Sequence, residues 1–170
     1  MLQSFASVLT GNPWFIAAML AAIGAAIWER GARIGATTAI LVVNWLLALT
    51  VTLATFDPAH PWEPRPWIWY ASIDYLAAFF LIVLVNPKPP QALIGLIYAM
   101  MIILHVAYWK AGATEWATFQ YDKHLTWAAT AQFLVVIGWG LHGIYRRRRG
   151  AVRGAPTNPT GAASSYRKGA

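Results

Sequence analysis

The stretch WIWYASIDYLAAFFLIVLV, Trp67–Val85, decides how this chain folds. As a helix rising 1.5 Å per residue it extends about 28 Å, close to the ~30 Å hydrocarbon thickness of a bilayer. One carboxylate, Asp74, sits well inside it. An acid at the bilayer centre costs about 2.5–3.5 kcal/mol on insertion scales, so Asp74 needs a partner or a proton. Helical spacing gives its direction. At i−3, i+3 and i+4 stand Ala71, Ala77 and Ala78, and small residues mark helix–helix contact faces in membranes. The opposite face carries Phe79, Phe80, Ile82 and Val83 and suits lipid. Asp74 is therefore expected to face sister helices.

Four more segments supply those sisters. They are 13–28 (PWFIAAMLAAIGAAIW), 35–56 (containing ILVVNWLLALTVTLATF), 91–109 (QALIGLIYAMMIILHVAYW) and 125–145 (LTWAATAQFLVVIGWGLHGIY). Each ends in polar or Pro-rich text such as ERGAR, NPKPP or RRRRG. Pro13 suits a first helical position, with Asn12 as its cap. The expected fold is an all-α integral membrane bundle of five spans, or four if the first only dips into the bilayer. Residues 146–170 are expected to form a disordered basic tail, since they offer almost nothing to bury. A cleaved signal peptide is not expected, because residues 1–12 carry no Lys or Arg. Thr114 is a candidate cap for an interfacial helix over 113–123 or for an outward extension of the last span.

The composition agrees with a membrane class. Charged residues make up 11% of the 170-residue chain and hydrophobic ones 58%, with mean hydropathy +0.48. An average soluble domain has about a quarter charged residues. The ten tryptophans fit a headgroup boundary. With no cysteine, disulfides, thiolate metal sites and cysteine nucleophiles are excluded. The net charge is +7, but seven of the thirteen Lys and Arg residues follow Tyr145, so no nucleic-acid partner is expected.

Basic residues also orient the chain, since short cytoplasmic loops collect them. With the C-terminus inside, Arg30, Arg33, Lys88 and the tail give ten on the inner side. Arg65, Lys110 and Lys123 give three on the outer side. The expected location is a bacterial inner membrane with a periplasmic N-terminus. Arg146, Arg147, Arg148 and Arg149 act first as a topology signal and then as contacts for anionic lipid headgroups.

Inside the membrane the candidate polar cluster is Asp74, His105, Gln132 and Asn44. Asp74 and Gln132 each lie about 10 Å below the outer end of their spans, and His105 about 6 Å. Asn44 lies nearer the midplane. Tyr70, Tyr75 and Tyr98 are further donors to Asp74. Such a cluster serves either as polar glue fixing helix register or as an Asp–His proton relay. No catalytic signature is present: no Walker-type loop, GxSxG elbow, HExxH or usefully spaced carboxylate pair. His105 and His124 are weak candidates for haem or metal, and no cofactor is expected. The glycines 138, 140 and 143 and the alanines 17, 21 and 25 read as packing signals, for the bundle itself or for a homo-oligomer.

The leading functional expectation is a non-enzymatic accessory or assembly subunit of a membrane complex, from a bacterium or its phage. Two alternatives stand beside it. In size, hydrophobicity and charged tail the chain looks like a phage holin, a permeabiliser whose induction collapses membrane potential abruptly. A proton-coupled carrier, or a haem- or quinone-linked subunit, would use Asp74 and His105.

Overall fold

The computed structural model describes residues 13–55, 66–85, 88–112 and 114–153. These form five helices: α1 Pro13–Glu29, α2 Ala32–Thr55, α3 Trp67–Val85, α4 Pro89–Ala111 and α5 Glu115–Arg153. Three segments are long and apolar enough to cross a membrane: Ala32–Thr55, Pro89–Ala111 and Glu115–Arg149. The other two helices are apolar but shorter. His60, Arg65, Asn12 and residues 154–170 lie outside the described residues.

Each helix packs on the next in sequence, α5 closes the ring against α1, and α2 also touches α5. The inward stripes follow helical periodicity. In α4 the buried positions are Gln91, Ile94, Tyr98, Met101, His105 and Tyr108, alternating steps of three and four. In α3 they are Tyr70, Asp74, Ala77 and Leu81. Phe79, Phe80, Ile82 and Val83 are exposed, so α3 turns its small-residue face to the bundle and its bulky face outward.

The connections are set by local chemistry. Arg30 takes a left-handed conformation (φ 55°) that ends α1, and Gly112 (φ 73°) ends α4. Pro89 and Pro90 open α4, where the Lys88 amide donates to Gln91 Oε1 at 2.8 Å. Thr114 Oγ1 accepts from the Ala117 amide at 3.2 Å and caps α5.

One expectation is narrowed here and another changes. Of the two readings of the stretch after Thr114, the outward extension of the last span holds, and 115–124 is no separate interfacial helix. It is the first part of α5, held against α4 by buried Thr118 and Tyr121. At the other end α5 runs on through Arg153, so Arg146–Arg149 are helical, not the start of a disordered tail. Arginine is a good helix former, and cations near a helix C-terminus complement its dipole.

Close approach of α1 and α5 also departs from the expected pattern. The buried stripe of α1 is Phe15, Ala18, Ala22 and Ala26, while Ala17 and Ala21 face outward. A Cβ on Gly140 would meet Ala25 Cβ at 2.9 Å, and one on Gly143 would meet Glu29 Cγ at 2.9 Å. Nothing lies within 4 Å of the same position on Gly138. Arg147 then pairs with Glu29 Oε1 at 2.8 Å and also donates to the Glu29 carbonyl.

Candidate functional site

The site lies toward the end of the bundle where α1, α3 and α5 begin and α2 and α4 finish. Asp74 is the eighth residue of α3, about 10 Å in from Trp67. It is 4% exposed, and His105 on α4 is fully buried. His105 Nε2 lies 2.9 Å from Asp74 Oδ2, and Asn44 Nδ2, from α2, donates to Asp74 Oδ1 at 3.0 Å. The second ring nitrogen, His105 Nδ1, lies 2.6 Å from the hydroxyl of Tyr121 on α5. A continuous line Tyr121–His105–Asp74–Asn44 thus joins four helices.

Aromatic rings brace this line. Tyr70 stacks on His105 with centroids 6.3 Å apart, and its hydroxyl lies 2.9 Å from Thr52 Oγ1. Tyr108 stacks on Tyr121 at 4.2 Å and its hydroxyl reaches Thr118 Oγ1 at 3.0 Å. Stacking thus braces His105 through Tyr70 and its partner Tyr121 through Tyr108.

Of the predicted polar residues, Asp74, His105 and Asn44 meet, and Gln132 does not join them. Gln132 Nε2 instead reaches Met101 Sδ at 3.7 Å. Equal depth puts Gln132 on the wall of the cleft that Asp74 and His105 also line, but its azimuth on α5 turns the amide to Met101 and not to the carboxylate. The tyrosines considered for Asp74 sit in different surroundings. Tyr70 bonds Thr52, Tyr75 is 62% exposed, and the Tyr98 hydroxyl is buried with no partner among the described residues. Tyr121 was missed. It stands in the text YDKH, which reads as loop, and its helical phase shows only once α5 is seen to begin at Glu115.

For metal or haem the donors are poorly placed. Both His105 nitrogens are engaged, and exposed His124 directs Nδ1 at the Gln120 carbonyl, 2.6 Å away. Among the described residues no group of three or more His, Asp or Glu gathers to hold a metal ion.

Beside the line lies a cleft of about 340 Å³ lined by residues from all five helices. Its walls are mostly apolar, with Phe15, Trp45, Leu49, Leu125 and Phe133, and Gln132 also lines it. At the opposite end of the bundle, Gln91 Nε2 donates to Thr37 Oγ1 at 3.1 Å, tying α4 to α2. No family model, no curated protein and no solved structure matches this chain.

Proposed function

We propose that this is a multi-pass membrane protein in which all five helices cross the bilayer. It serves as a non-enzymatic accessory or assembly subunit of a bacterial or phage-encoded membrane complex, and Asp74–His105–Asn44–Tyr121 locks its helices in register. The observation that carries the reading is the pairing of Asp74 and His105. Both carboxyl oxygens of Asp74 and both ring nitrogens of His105 have side-chain partners, drawn from each other or from two other helices. Of these four residues, Asn44 keeps one buried atom, Oδ1, without a hydrogen-bond partner among the described residues, on the wall of the adjoining cleft.

The placement follows the positive-inside rule. Arg30, Arg33, Lys88 and Arg146–Arg149 gather at one end of the antiparallel bundle, and Lys110 and Lys123 at the other. The arginine end faces the cytoplasm, where each Arg near the surface gains about 1 kcal/mol from anionic lipid. Trp14, Trp69, Trp109 and Trp116 are exposed near the opposite end and mark the outer headgroup level. Cross-linking in native membranes followed by affinity purification tests the subunit role. A defined set of membrane partners, or a fixed homo-oligomer, is expected. A chain recovered only as a monomer with no cross-linked neighbour contradicts it.

A further inference from the structure

The lock leaves Gln132 unused. This side chain is 3% exposed and lines the 340 Å³ cleft. Among the described residues its one hydrogen bond is the 3.7 Å contact from Nε2 to the Met101 thioether, a weak acceptor. A carboxamide offers two donors and an acceptor, and burying them without strong partners is unfavourable. The cleft therefore holds an amide suited to a ligand with a polar oxygen.

We propose that the cleft binds a neutral, ring-sized, lipid-soluble molecule of the quinone or phenol class, and that Gln132 recognises its carbonyl or hydroxyl oxygen. Three features choose that class. Ligand sites span roughly 300–1,000 Å³, so a volume of about 340 Å³ has room for one or two rings. Phe15 forms an aromatic wall with Trp45 and Phe133, at centroid distances of 5.7 and 5.6 Å, against which a flat ring stacks. The lining holds no Lys or Arg to balance an anionic ligand, and its buried carboxylate, Asp74, is already paired with His105 and Asn44. An acyl chain would fill the volume yet offer Gln132 no partner.

The proposal does not rest on the accessory role: the four lock residues line the same cleft, but Gln132 bonds none of them. The test uses the full chain in detergent micelles, dialysed to equilibrium against a methylated naphthoquinone and, separately, a naphthol. Protein-free micelles measure simple partitioning. With no cysteine in the chain, the quinone has no thiol to alkylate. Saturable binding of at least one probe, at one per chain, is expected. Gln132→Leu should weaken it about tenfold, the effect of one lost hydrogen bond. Ala129→Phe, which fills the cleft from α5, should abolish it. If Ala129→Phe fails to fold, Gln132→Leu decides alone, because its amide holds nothing but a thioether. Uptake of both probes no greater than in protein-free micelles overturns the proposal. So does saturable binding that Gln132→Leu leaves unchanged.

Discussion

Asp74 accepts from Asn44 and is hydrogen-bonded to His105; His105 is fully buried and Asn44 half-buried. Removing the carboxyl group strands them. Asp74→Ala is expected to destabilise the bundle by about 1–3 kcal/mol, the range for leaving buried polar groups unsatisfied. Tyr121→Phe keeps the stack on Tyr108 and loses only the hydroxyl at His105 Nδ1, so about 1 kcal/mol is expected. Unfolding in mixed micelles, followed by circular dichroism, measures both. An Asp74→Ala variant as stable as the parent would show that the line does not hold the helices. The direction of Asp74 was legible in the sequence because alanines surround it at helical spacing. Its partner on α5 was not, because depth along a helix follows from counting residues whereas azimuth depends on how the helices pack. That is why Gln132 was placed with Asp74 and Tyr121 was overlooked.

At the scale of elements, the α1–α5 seam depends on two glycines. Gly140 sits where a Cβ would press on Ala25, and Gly138, two residues earlier, faces open space. Gly140→Val is expected to lower stability by about 1–3 kcal/mol through overpacking. Gly138→Ala should be neutral or gain up to about 1 kcal/mol in helix propensity. Thermal melting of the purified variants separates them, and equal losses at both sites would contradict the seam. Five helices were readable from apolar runs and breakers, to within a few residues at most ends. The start of α5 was readable only as one of two alternatives, and its far end was not. Polar text such as EWATFQYDKH and RRRR reads as loop or tail by composition, yet it continues a helix whose register is already set by the apolar run between them. Small residues also misled on α1. Ala17 and Ala21 repeat as regularly as Ala18, Ala22 and Ala26, and tertiary packing alone chooses the latter as the contact face.

At the scale of the whole molecule, the proposed arrangement is five antiparallel rods across a bilayer, arginine end to the cytoplasm, with the lone acid of α3 inside the ring. The chain has no cysteine, so single cysteines report topology without background. The most direct measurement is labelling of intact cells by a membrane-impermeant thiol reagent at Trp14→Cys, Arg30→Cys, Trp116→Cys and Arg148→Cys, one at a time. Trp14 and Trp116 open α1 and α5 at the Asp74 end, and Arg30 and Arg148 lie at the other. The account predicts labelling at the two tryptophan positions in intact cells, and at the two arginine positions only after the membrane is opened. Labelling of Arg148→Cys in intact cells, or of Trp14→Cys and Arg30→Cys from the same side, would contradict it.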